Sequence, residues 1–142
     1  MEPVYQVDEH VGKIFDSSLT SPSIKVLDSE GKIINEDIYL STVTIWNAGE
    51  LPIEPKDVRK PFQIKLSNIK AILDFSIVKE VDQEISRFSL NKLNSNTIGI
   101  SWQHFDPQQG IRVQIIYIAN KKAHIDIEGK IITKTISNAM CN

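Results

Sequence analysis

Apolar and polar residues take turns along most of this chain. "PFQIKL" alternates at Phe62, Ile64 and Leu66, and "IKAILDFSI" at Ile69, Ala71, Leu73, Phe75 and Ile77, with Lys70 and Asp74 facing away. "NTIGISW" puts Ile98, Ile100 and Trp102 on one parity. "GIRVQIIYI" does the same with Ile111, Val113, Ile115 and Tyr117, against Arg112 and Gln114. "AHIDIEGKII" sets Ile125, Ile127 and Ile131 against His124, Asp126, Glu128 and Lys130. A period of two is that of a strand with one face buried. "SIKVLD" and "GKIIN" predict two shorter strands around the turn "DSEG", whose Asp28 and Gly31 suit a tight reversal. "DIYLSTVTIW" is rich in β-branched residues, but Val43 and Ile45 lie on one parity and Ile38 and Leu40 on the other. That switch predicts burial on both faces or a bulge. Only "KEVDQEIS", residues 79–86, fits helical spacing, for about one turn.

Isoleucine-rich, alanine-poor segments disfavour long helices, because β-branched side chains lose rotamer freedom there. The pattern therefore predicts an all-β chain, an antiparallel sandwich of about seven to eight strands. No repeat or break in composition divides it, which predicts one domain. Residues 1–22 read as a lead-in segment with room for an edge strand, 23–134 as the sandwich, and 135–142 as a C-terminal tail. "SSLTSPS" at 17–23 reads as a loop.

The run "TIWNAGELPIEPKDVRKPF", residues 44–62, joins two of these strands. Asn47 and Gly49 tolerate the positive φ of a sharp turn. Pro52, Pro55 and Pro61 restrict the backbone, and Ile53 is placed to pin the loop into the core. The expectation is a rigid connection in which Asp57, Arg59 and Lys60 are solvated charges. If the loop also binds a partner, the candidates on it are Trp46, Asn47, Glu50, Asp57 and Arg59.

"WNAGELPIEPKDVRKPFQIKL" resembles a pattern, N-x-G-x-x-P-I-x-P-x-D with a proline before the next strand, found in uncharacterised bacterial immunoglobulin-like sandwich domains that often lie beside predicted transmembrane helices. "WQHFDPQQGIRVQIIYI" and "IDIEGKI" are similar to that group's later strands, so the resemblance spans roughly residues 23–132. It implies an immunoglobulin-like topology and a membrane-tethered parent, and it implies no activity. The motifs are turn chemistry, of modest specificity.

Sixteen basic and eighteen acidic residues among 142 leave a formal charge of −2, so bulk electrostatics offer no pull towards a phosphate backbone or an anionic membrane. No apolar run approaches the roughly 20 residues that span a bilayer, and the acidic start "MEPVYQVDEH" is unlike a signal peptide. The chain as given thus reads as soluble, in the cytoplasm or held to a membrane only by a tether outside this sequence. Cys141 is the single cysteine, which excludes an internal disulfide.

Neither His10, His104 nor His124 lies at zinc-ligand spacing from another histidine or from the cysteine, and no nucleotide-binding or nucleophile-elbow motif occurs. No calcium loop is present either; "DSEG" is too short. The expectation is no cofactor, no metal and no catalytic residue. The one set with hydrolytic potential is His104 with Asp106 and Ser101. Trp46, Trp102, Tyr5, Tyr39 and Tyr117 are the aromatics available to a ligand. Trp102 continues the apolar parity of its strand and is expected in the core. Trp46 shares the parity of Thr42 and Thr44 and is expected nearer water. Nucleic-acid stacking would need cations beside it, and "TIWNAGE" supplies none.

The leading functional expectation is a non-enzymatic interaction or accessory domain with a protein partner. A carbohydrate-binding module using exposed aromatics is a second expectation, and an enzyme of unrecognised type a third. A homodimer through a sheet edge is the expected self-association.

Overall fold

The alternation becomes strands, and the strands become two sheets. The computed structural model describes residues 1–8, 12–17, 25–80 and 86–139. These form β1 (Pro3–Val7), β2 (Gly12–Phe15), β3 (Ile38–Asn47), β4 (Val58–Ser67), β5 (Ala71–Glu80), β6 (Ser89–Asn94), β7 (Thr97–Ser101), β8 (Gly110–Ile118), β9 (His124–Ile131) and β10 (Ser137–Asn138). One sheet has the order β10-β1-β3-β8-β5, with β2 also pairing to β3; the other has the order β6-β7-β4-β9. Every pairing is antiparallel except β1 with β10.

The inward parity of each sheet supplies one core. Val43, Ile45, Val113 and Ile115 of the first sheet share a cluster with Phe62, Ile64, Leu66 and Ile98 of the second. Each such side chain contributes about 1.5–3 kcal/mol on leaving water. Phe62, Phe88, Trp102 and Phe105 form a four-ring group at one end, with centroid separations of 5.0–5.8 Å. The Trp102 indole N–H donates to the Ile53 carbonyl at 2.9 Å, so the polar end of the buried ring is satisfied.

The parity switch in β3 has a specific resolution. Its ladder with β8 runs unbroken from Ile38 to Trp46, so it contains no bulge. Tyr39, Ser41, Val43, Ile45 and Asn47 point inward, and Ile38 is buried on the opposite parity. Ser41 fills an apolar slot at no polar penalty because its hydroxyl meets the Tyr117 hydroxyl at 2.9 Å. Tyr117 Oη also accepts the Ala123 N–H at 3.1 Å, and its ring stacks on Tyr39.

Several segments differ from expectation. Among their described residues, "SIKVLD" and "GKIIN" contribute an isolated bridge, Leu27 to Ile33, around a tight turn in which the Asp28 carboxylate accepts the N–H groups of Glu30 and Lys32. β6 is a strand that the alternation missed: "SLNKLN" is polar and exposed along most of its length, and β7 holds it by backbone pairing. The lead-in supplies both β1 and β2, and β1 lies between β3 and β10 rather than at the rim. The stretch read as a tail buries Ile136 in the core before entering β10. Of "KEVDQEIS", Lys79 and Glu80 belong to β5 and residues 81–85 lie outside the described residues, as do Ile24, His10 and Cys141. No helix among the described residues is long and apolar enough to cross a membrane.

Candidate functional site

The proline-rich connection is held from within. Asn47 is fully buried, and its amide is used on both ends. Oδ1 accepts from the N–H groups of Glu2 (3.1 Å) and Gly49 (3.0 Å), while Nδ2 donates to the carbonyls of Leu51 (2.8 Å) and Phe105 (3.1 Å). Neither Asn47 nor Gly49 has positive φ. The turn is instead made by the Asn47 side chain, which mimics a backbone turn. Gly49 is required by proximity, since a Cβ there would lie 2.8 Å from the Met1 nitrogen.

Further along, Ile53 is fully buried, as the pin predicts, and its N–H donates to the Phe105 carbonyl. Pro55 starts a 3-10 turn over Pro55–Asp57, where a missing N–H costs nothing. Asp57 is not a solvated charge: it is buried, and its carboxylate accepts the Glu54 N–H at 2.8 Å. Arg59 is exposed and donates to the Lys56 carbonyl; Glu50 is exposed in the turn. Pro61 falls where the β4–β9 register slips between Lys60 and Gln63, so its lack of an N–H breaks no rung.

The hydrolytic set is not gathered. His104 Nδ1 lies 3.4 Å from Glu54, and no ion pair joins it to Asp106. The Ser101 hydroxyl is engaged with that of Ser89 at 2.9 Å. Among the described residues there is no group of three histidines, cysteines or carboxylates that could hold a metal ion.

Of the five aromatics named from the sequence, Tyr5, Tyr39, Trp102 and Tyr117 are all in the core. Trp46 alone is half-buried, on the outer face of the six-stranded sheet with Thr42 and Thr44. It stands in an open concavity of about 530 Å³ lined by Gln6, Asp8, Thr42, Thr44, Trp46 and Arg112. An adjoining hollow of about 170 Å³ extends past Trp46 to Lys79, Gln108 and Gly110.

Register explains how these residues meet. Thr44 is opposite Gln6 on one side and Arg112 on the other, and Lys79 of β5 is opposite Arg112. Gln6, Thr44, Arg112 and Lys79 thus form one row across four strands. Trp46 stands in the next row between Val4 and Gly110. Val4 on the β1 side is buried, and Gly110 on the β8 side carries no side chain. A Cβ at Gly110 would lie 2.0 Å from the Ile45 carbonyl oxygen and 2.7 Å from Trp46 Cα, so only glycine fits.

The sequence shows no cation near Trp46, because Arg112 and Lys79 are far away along the chain. The β3–β8–β5 ladders bring both beside it. Neither makes an ion pair with a described residue.

A third hollow, of about 220 Å³, lies on the other sheet among Pro55, Val58, Pro61, Phe62, Ile100 and Trp102. It is apolar and offers no group to orient a ligand except the engaged Ser101. No protein-family model and no curated protein matches the chain.

Proposed function

We propose that this is a non-enzymatic recognition domain whose ligand lies on the outer face of the six-stranded sheet, around Trp46. The observation that carries the reading is the combination there of a half-buried indole, an unopposed glycine beside it, and hydroxyl, amide and cationic side chains in one cross-strand row. A ring face next to a small number of oriented polar groups is how a shallow site gains both contact area and direction. The loop at 47–61 acts in this reading as scaffold: the buried Asn47 amide braces the end of β3 on which Trp46 sits, and the buried Asp57 carboxylate fixes the 3-10 turn that follows.

The same reading takes the sandwich as immunoglobulin-like. The order β1-β3-β8-β5 parallels the A-B-E-D sheet, and β4 beside β9 parallels C and F. The hairpin β6–β7, which follows β5 in the chain yet pairs beside β4, is a departure from that plan.

The test is ligand screening by intrinsic fluorescence, with Trp46→Phe and Trp102→Phe separating the two tryptophans. Saccharides and peptides that bind should perturb Trp46 emission and shift backbone amide resonances of β1, β3 and β8. Ligands that shift only the 47–61 loop or the β4 sheet would overturn the placement.

A further inference from the structure

Resting on that placement of the site, we infer that the ligand is an acidic saccharide, a glycan carrying carboxylates on its sugar rings. Trp46 supplies the flat apolar surface on which a pyranose stacks. Gly110, opposite Trp46 on β8, is held as glycine by the close approach of the Ile45 carbonyl and Trp46 Cα, and so carries no side chain of its own at that position. From Trp46 to Arg112 is a diagonal cross-strand step, about 7–8 Å between neighbouring positions. Both side chains line the same hollow, so a substituent on a ring stacked on the indole lies within the reach of the long Arg112 side chain. Arg112 matches a carboxylate by its two parallel N–H donors, and Lys79, opposite it on β5, adds a second positive charge. Thr42, Thr44 and Gln6 line the hollow with groups that both donate and accept, as ring hydroxyls require, and the Asp8 carboxylate, which also lines it, accepts from further hydroxyls.

Charge complementarity selects this occupant over others. Arg112 and Lys79 are exposed and have no ion-pair partner among the described residues, so a ligand anion does not have to displace one. A polyphosphate strand fits less well. It needs a continuous basic track and successive stacking rings, whereas here one indole stands with two cations. An acidic peptide would satisfy the cations but leave the indole face and the hydroxyl row without a matching partner.

The experiment is calorimetric titration of the full chain with oligogalacturonate, its fully methyl-esterified counterpart, polyglutamate and oligo-deoxythymidylate. Oligogalacturonate should bind best, and esterification, which removes the charge and keeps the ring, should weaken it by about tenfold to a hundredfold. Arg112→Gln should produce a similar loss towards the acid form and little change towards the ester; Lys79→Gln should do so more weakly. Trp46→Ala should abolish both. Arg112 and Lys79 are exposed, so those variants retain the wild-type melting temperature, and that is measured alongside. Equal affinity for acid and ester, or stronger binding of polyglutamate or oligo-deoxythymidylate, overturns the acidic-saccharide assignment while leaving a site at Trp46. Absence of oligogalacturonate binding overturns it also. Binding that survives Trp46→Ala overturns both this inference and the placement of the site.

Discussion

Replacing Asn47 asks whether the 47–61 connection is scaffold. The side chain is fully buried and makes four hydrogen bonds, two as acceptor and two as donor, all at 2.8–3.1 Å. Asn47→Ala removes all four. The Phe105 carbonyl keeps its bond from the Ile53 N–H, and the surfaces of Glu2 and Gly49 retain some access to water. At about 0.5–1.5 kcal/mol for each net bond, with a further cost where a partner stays dry, the loss is about 3–5 kcal/mol. That is a large part of the roughly 5–15 kcal/mol that holds a domain together.

Urea unfolding followed by Trp102 fluorescence reads it directly. Asn47→Asp separates hydrogen bonding from shape. It keeps the acceptor but turns the donor into an oxygen facing two carbonyls. Burial raises the pKa of the new carboxyl in the folded state above its unfolded value. The folded form then binds the proton more readily than the unfolded one, so this variant gains stability as pH falls through that raised pKa. An Asn47→Ala loss below about 0.5 kcal/mol, or an Asn47→Asp variant indifferent to pH, would refute the bracing role.

Three more outcomes follow from the core and the surface charges. Trp102→Phe removes the donor to the Ile53 carbonyl and part of a buried ring, and should cost about 2–4 kcal/mol in urea unfolding followed by far-ultraviolet circular dichroism. A cycle of Ser41→Ala with Tyr117→Phe should show a coupling of about 0.5–1.5 kcal/mol, since each hydroxyl is the other's partner; strict additivity would contradict the pairing. Asp37 should titrate below the ordinary carboxylate range, because the N–H and hydroxyl of Ser17 donate to it and Lys13 lies 3.3 Å away. Its stabilising contribution is therefore present above the unfolded carboxylate pKa and fades as pH falls through the lowered one. Carboxyl NMR titration checks the direction, and Ser17→Ala should return it towards normal.

Some of this protein is local enough to be read along the chain. Alternation at Phe62–Leu66, Ile98–Trp102, Ile111–Tyr117 and Ile125–Ile131 marks inward faces, because a strand's side chains alternate by geometry whatever its neighbours. The Ile53 pin, the reversal at Asp28–Gly31 and the outward parity of Trp46 are of the same kind. Segments stabilised mainly by pairing are not legible in this way. β6 has too few apolar residues to announce itself, and "SIKVLD" alternates yet contributes an isolated bridge among its described residues. Asp57 reads as a solvated charge until the 3-10 turn buries it as a cap.

The candidate site divides along the same line. Sequence by itself determined that Trp46 shares a face with two threonines, since that requires only the two-residue period of one strand. Which residues stand beside that face depends on register between strands distant in the chain. Only the tertiary structure put Gly110, Arg112 and Lys79 next to the indole, because backbone hydrogen bonding aligns β3, β8 and β5 rung by rung and no local pattern encodes that alignment.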